Sequence, residues 1–106
     1  MFVFRSPEQW ARGLIGCTPE QAQAGALFIM HNAAPWPVCM DGVDFPMDVY
    51  WLSDSRMVLE HAELFPGMGI VWPDVTAQYV LELPMGETPR YRVGDFVEVM
   101  DDAPAN

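Results

Sequence analysis

The sequence predicts an α+β domain made mainly of antiparallel strands, arranged as a small barrel-like or sandwich sheet after a short broken helical segment. Helix-start patterns occur only near the N-terminus, and apolar runs of strand length follow from Ala26 onward. Turn-forming residues separate these runs by distances typical of hairpins. The chain of 106 residues suits one domain, which we place at 1–100, followed by an acidic flexible tail at 101–106.

The first elements are a short strand at 2–4 and two successive helical starts. In SPEQ, Ser6 can cap a helix that begins at Pro7, and Gln9 completes a capping box. The segment TPEQAQAG at 18–25 repeats the same arrangement. Because glycines close both segments, the pattern predicts two short helical pieces rather than one long helix.

Five later segments combine apolar runs or alternation with flanking turn residues, and they predict strands at 26–30, 47–52, 57–64, 79–84 and 96–100. The connection at 31–38 contains two prolines and is expected to be irregular, since proline cannot sit in a central strand. The segments SDSR and FPGMGIVWPDVTA are predicted to be a hairpin turn and a loop, respectively.

The charge of the chain restricts its partners. Fifteen acidic residues face five arginines, and the formal net charge is −10. Such a surface repels phosphate groups, which argues against nucleic-acid binding and against anionic membrane surfaces. A hydrophobic content of 51% argues against disorder. No apolar run has the length of a membrane span and no signal-peptide pattern opens the chain, so we expect a soluble, cytoplasmic protein in the form given.

The most suggestive stretch is CMDGVDFPMDVYWL at 39–52, in which three aspartates lie among apolar and aromatic residues. Two loop tryptophans beside prolines add surfaces that could stack on a ligand. The candidate ligand-binding residues are therefore aromatic, acidic and methionine side chains: Trp36, Met40, Asp41, Asp44, Asp48, Tyr50 and Trp72. The spacing of the aspartates does not match a calcium loop.

Asp48 has two interpretations. A regular strand would place Asp48 and Tyr50 on one face and Val49 and Trp51 on the other. Asp48 could then be a polar anchor at the mouth of a cleft, or its carboxylate could accept backbone N–H groups in the turn around Pro46.

No other residues form a recognisable reactive set. His31 and His61 are not fixed as neighbours, and zinc would need further ligands. Cys17 and Cys39 lack a basic neighbour in sequence, and we expect two structural thiols. The sequence therefore predicts no catalytic residue, metal site or cofactor.

Three blocks, in order, resemble the "domain of unknown function 192" family. GLIGCTPEQAQAGALFIM is similar to its opening, MDGVDFPMDVYWL to its central Met-Lys-Asn-Thr…Pro-Leu-Asp segment, and YVLELPMG followed by VGDFV to its close. The resemblance runs from about Gly13 to Val99. It implies a compact β-rich domain, in a family whose members are often exported or lipid-anchored, and it brings no known reaction.

The chain departs from that resemblance at one place. Asp41, Gly42 and Val43 stand where relatives usually carry Lys-Asn-Thr. An anionic ligand attracted by that lysine would be repelled by Asp41.

Three functions fit these observations. The first is a non-enzymatic module that binds an unknown small molecule or protein in an aromatic and acidic groove. The second is a structural or homodimeric interaction domain, since a small core and unpaired strand edges favour pairing. The third is a hydrolase that uses Asp44 and Asp48 as acid and base.

Overall fold

A computed structural model describes residues 1–87 and 89–98 of the chain. In this part of the chain there are one helix and seven strands, in the order β1 (Phe2–Phe4), α1 (Pro7–Arg12), β2 (Ala26–Ala34), β3 (Val38–Cys39), β4 (Met47–Leu52), β5 (Val58–Leu64), β6 (Ile70–Val71) and β7 (Ala77–Pro84). The helix has six residues, and no helix here has the length and apolar character that a bilayer crossing requires.

Five strands form one mixed sheet in the order β1-β2-β7-β4-β5. β1 and β2 are parallel, whereas the other three pairs are antiparallel. β3 and β6 form a separate two-stranded antiparallel sheet. The predicted α+β class with mainly antiparallel strands is confirmed. Among the described residues the sheet stays open and does not close into a barrel.

Both faces of the five-stranded sheet are covered, and this is why every residue of β4 is buried. The larger core lies on the face that presents Val49 and Trp51, and it is completed by residues from the 10–25 region and from the chain around β3. A smaller cluster lies on the face that presents Tyr50, where the closing segment around Val97 packs. Neither face of the five-stranded sheet is therefore fully exposed to solvent.

The helix α1 begins as the sequence predicts. The Ser6 side chain accepts from the backbone N–H of Gln9, and the Gln9 side chain accepts from the N–H of Ser6. The second predicted helical piece is wrong. Thr18 and Gln21 make the same reciprocal hydrogen bonds, but residues 19–24 form only turns. The capping pattern fixes a first turn, and the turn ends because the chain must enter β2 at Ala26.

Gly25 explains that abrupt entry. Its φ is +87°, a region that side chains disfavour, and an added Cβ would lie 2.9 Å from the backbone oxygen of Glu82. Only glycine allows the chain to pass this close to β7 and turn into β2.

Three other sequence predictions need adjustment. The connection predicted at 31–38 is partly ordered, because β2 continues to Ala34 through a register shift and β3 begins at Val38. The loop predicted at 65–77 contains β6. The strand predicted at 96–100 is represented by one isolated bridge between Met57 and Phe96, and 99–100 and the tail at 101–106 lie outside the described residues.

Candidate functional site

A cavity of about 150 Å³ lies between the larger-core face of the sheet and the two segments that cover it. We call it the aromatic cavity. Its walls come from α1 and the turn after it, from β2, from the chain at 36–43 and from β7. The lining side chains are mainly aromatic and aliphatic, with four ionisable groups among them: Trp10, Leu14, Ile15, Phe28, Met30, Trp36, Val38, Val43 and Val80, together with Arg12, Cys39, Asp41 and Glu82.

Two tryptophans from separate segments of the sequence both line this cavity. Trp10 comes from the first turns of α1, and its indole N–H donates to the backbone oxygen of Phe4 at 3.3 Å. Trp36 follows β2, and its indole N–H donates to the oxygen of Asn32 at 2.8 Å. The two ring centroids are 6.0 Å apart. Each indole is therefore held in place by its polar end, while its apolar faces are left for packing.

The floor of the cavity contains a carboxyl group. Glu82 lies in the central strand β7, where it pairs with Ala26 on one side and Val49 on the other. Its side chain projects from the larger-core face and is only 5% exposed. Burial raises the pKa of the Glu82 carboxyl from 4.5 to about 8, and no ion pair or hydrogen bond from another described residue opposes that rise.

The other charged residues of the cavity lie at its rim. Arg12 and Asp41 are both exposed, and they carry opposite charges. The Cys39 thiol is free and exposed at the same rim. The rim of the cavity thus carries one positive charge, one negative charge and a thiol, all exposed to solvent. A protonatable carboxyl lies beneath them.

A second polar cluster lies on the opposite face of the sheet, centred on Asp48. This aspartate is 1% exposed, and its Oδ1 lies 2.8 Å from Nε2 of His61 and 3.5 Å from Nη2 of Arg90. Its Oδ2 is buried without a hydrogen-bond partner. Both interpretations drawn from the sequence are therefore incomplete, because side chains from β5 and from the segment after β7 bind this carboxylate.

Aromatic rings complete the Asp48 cluster. The His61 ring stacks on Tyr50 with centroids 4.7 Å apart, and Tyr91 meets Tyr50 edge-on at 5.3 Å. The backbone N–H of Tyr91 donates to the Tyr50 hydroxyl at 3.3 Å. These contacts join β4, β5 and the closing segment, so the arrangement fastens the segment after β7 onto the sheet.

The fastening role predicts a specific stability pattern. The His61→Ala variant should lose about 2–3 kcal/mol of unfolding free energy, because the buried Asp48 carboxyl would lose its 2.8 Å partner and keep only the more distant Arg90. In a double-mutant cycle with Asp48→Asn, the two changes should cost less together than the sum of the single changes. Urea unfolding of the four proteins measures the coupling. His31→Ala, at an exposed position, is the matched control, and additive single costs would contradict the fastening role.

The structure separates the residues that the sequence grouped. Trp36 and Asp41 line the aromatic cavity. Met40 is buried in the adjoining core at 1% exposure.

The other candidates lie elsewhere. Asp48 and Tyr50 lie on the opposite face of the sheet. Asp44 is exposed in the turn before β4, and Trp72, which follows β6, is 64% exposed. The described structure therefore brings two of the seven candidates into one cavity.

Sequence reasoning missed Trp10, Phe28 and Glu82 as cavity residues. Trp10 and Phe28 read as ordinary core positions, and nothing in their spacing marks a ligand surface. Glu82 alternates with Leu81 and Leu83 in a strand, and that pattern normally indicates a solvent-facing carboxylate. Among the described residues no three His, Cys, Asp or Glu side chains come close enough together to hold a metal ion.

The chain is similar to one family of known proteins over most of its length. The model of the DUF192 family, described as "Uncharacterized ACR", matches residues 1–99. The chain belongs to the DUF192 family. The resemblance carried by the three sequence blocks is thus confirmed, and it extends to the β1 strand and the capping box of α1 that precede them.

Two solved structures share the fold of this DUF192 domain. One is a protein of unknown function from Novosphingobium aromaticivorans, with 21% identity and a TM-score of 0.69 over 79% of this chain and 61% of that chain. The other is a proposed transcription regulator from Sinorhizobium meliloti, with 20% identity and a TM-score of 0.66 over 82% and 74% of the two chains. The DUF192 domain thus spans about three fifths of the first structure. No curated protein matches it significantly.

Proposed function

We propose that this DUF192 domain is a non-enzymatic binding module that takes one small, partly apolar molecule into the aromatic cavity. The observation that carries the proposal is a cavity of about 150 Å³ that joins two anchored tryptophans to a buried carboxyl with no partner among the described residues. Binding sites typically combine such apolar walls with a few polar groups that fix orientation.

The size of the cavity limits its occupant. Apolar protein cavities of about 150 Å³ bind molecules of roughly the size of benzene. The aromatic cavity differs from these because it has an ionisable group on its floor and opens at a polar rim. A molecule with a short apolar body and one polar end therefore fits it better than a sugar chain or a peptide.

The polar groups of the cavity support binding rather than covalent chemistry. A nucleophilic thiol needs a base within hydrogen-bond reach, and among the described residues no hydrogen bond joins Cys39 to a base. A pair of carboxylates working as acid and base needs both in one pocket. Asp44 does not line the cavity, and Asp48 lies on the other face of the sheet.

Indole N–H signals in NMR spectra test the binding proposal. In a panel of small amines, alcohols, carboxylates and aromatic fragments, a bound probe should shift the Trp10 and Trp36 signals and leave that of the exposed Trp72 unchanged. The Trp36→Ala variant should weaken binding of that probe about tenfold or more, since it removes both a stacking contact of about 1 kcal/mol and the apolar surface that the indole buries against the probe.

Trp72→Ala is the matched control and should leave affinity unchanged, because Trp72 lies outside the cavity. If no probe moves Trp10 and Trp36 more than Trp72, the proposed function is wrong.

One observation favours a second candidate, the interaction domain. Four large apolar side chains in the segment from the end of β5 to the residue after β6 are 47–64% exposed: Phe65, Met68, Ile70 and Trp72. Neighbouring exposed apolar side chains of this kind are typical of protein interfaces. Light scattering at low and high salt measures whether the chain forms a dimer, and so tests the interaction-domain candidate. A dimer that forms at high salt, where the charge of −10 is screened, and that Ile70→Asp abolishes would support it.

A further inference from the structure

We infer that the molecule taken into the aromatic cavity is a small organic ammonium ion, whose charged end is bound by Glu82 and whose alkyl part lies against Trp10 and Trp36. The inference rests on the proposed binding function and names its ligand class. It also assigns Glu82 as the residue that determines specificity.

Among the described residues, no hydrogen bond or ion pair gives the carboxyl of Glu82 a partner. Buried polar groups in folded proteins are almost always hydrogen-bonded, and each exception needs an explanation. Here the Glu82 residue as a whole is 5% exposed and lines the cavity, and its carboxyl has no donor among the described residues. A ligand that donates hydrogen bonds to a carboxylate would remove this deficit, and an ammonium group offers several donors together with the opposite charge.

The walls suit the same ligand. The cavity is lined by the rings of Trp10, Phe28 and Trp36. Aromatic faces attract cations, most strongly where water is excluded, and they also pack against alkyl groups. An ammonium ion with a short alkyl chain would thus find charge compensation at the floor and favourable contacts at the sides.

Electrostatics around the mouth favours a cation over an anion. Arg12 and Asp41 at the rim oppose one another in sign, and Cys39 is the remaining ionisable group of the lining. The net charge of −10 then decides the long-range field, which concentrates cations near the protein and repels anions. Asp41 at the rim offsets the attraction that Arg12 would exert on an anionic ligand.

Binding of this ligand must be linked to a proton. Burial raises the pKa of Glu82 to about 8, so the empty site holds a neutral carboxyl below that pH. When an alkylammonium ion enters, the carboxyl O–H proton leaves to solvent and the ammonium N–H groups donate to the resulting carboxylate. The affinity should therefore rise about tenfold per pH unit below about pH 8 and level off above it.

Three probes of nearly equal size test the ligand class: n-butylammonium, 1-butanol and butyrate, titrated against the intact chain and followed by the Trp10 and Trp36 indole signals. We expect n-butylammonium to bind at least tenfold more tightly than 1-butanol at about pH 8, and butyrate more weakly than both. Calorimetry at about pH 6.5 in two buffers of different ionisation enthalpy should detect the release of close to one proton per bound ion.

The Glu82→Gln variant should remove both the preference for the ammonium ion and the pH dependence. Glu20→Gln, an exposed position outside the cavity, is the matched control and should change neither. Binding of 1-butanol or butyrate as tight as that of n-butylammonium overturns the ligand class but leaves the binding function standing. If none of the three probes binds, the ligand class is also overturned, and the wider fragment panel decides separately on the binding function.

Discussion

At about pH 9, the Glu82→Gln variant should have a free energy of unfolding roughly 4–5 kcal/mol higher than that of the original chain, whereas at about pH 5 the gain should be about 1 kcal/mol or less. In the folded protein, burial raises the pKa of Glu82 from 4.5 to about 8. Unfolding restores the ordinary value. The folded state therefore holds this proton more tightly than the unfolded state.

The sign of the pH effect follows from that difference. A raised pKa in the folded state means that the stability due to this group is fully present below about pH 4.5 and is lost as the pH rises towards about 8. Above that pH the buried carboxyl is ionised and its full cost is present. Glutamine has nearly the same shape and cannot ionise, so the variant avoids this cost.

Urea unfolding of both proteins across this pH range gives the difference directly. Other carboxylates also titrate, but they titrate equally in the two proteins and cancel. Glu20→Gln is the control, because an exposed carboxylate should give a nearly constant difference with pH. A gain for Glu82→Gln that stays the same at about pH 5 and about pH 9 would contradict the buried position of this carboxyl.

Replacing Trp51 by alanine should lower the free energy of unfolding by about 4–5 kcal/mol. Trp51 is the penultimate residue of β4, has 0% exposure, and packs on the larger-core face. Its indole N–H donates to the backbone oxygen of Trp36 at 2.8 Å. The substitution would leave a large void and remove the donor that ties the cavity wall to the sheet, so two losses add.

Thermal or urea unfolding measures this effect, and the chain offers a matched control. Trp72→Ala removes the same side chain at a position that is 64% exposed, and it should cost less than about 0.5 kcal/mol. Trp51→Phe should fall between the two, because it retains most of the buried ring but not the N–H donor. Equal costs for Trp51→Ala and Trp72→Ala would show that the described packing of β4 is wrong.

Asp48 shows how far sequence reasoning reaches. Alternation correctly separates Asp48 and Tyr50 from Val49 and Trp51, because side chains in a strand point alternately to its two faces. It does not reveal that both faces are buried. That depends on the closing segment, whose contact with Tyr50 joins residues about 40 positions apart, such as Tyr91. The partner Arg90 was therefore not predictable, and the contact with His61 required the pairing register of β4 with β5.

Glu82 shows the complementary failure. The strand at 79–84 was predicted, and its alternation is real. Alternation in a half-exposed strand places glutamate in water, but β7 lies between β2 and β4 and is covered on both sides. The same local pattern thus describes an exposed carboxylate at an edge and a buried one in the centre of a sheet.

Local sequence patterns were enough to predict the elements that depend on neighbours in the chain. These are the capped start of α1, the main strands and the DUF192 membership, because hydrogen-bond caps, turn residues and side-chain periodicity act over a few residues. The residues that share a cavity could be identified only from the folded arrangement. Strand order and the burial of each face result from contacts between distant segments, and they place Trp36 with Glu82 while moving Asp48 to the opposite side.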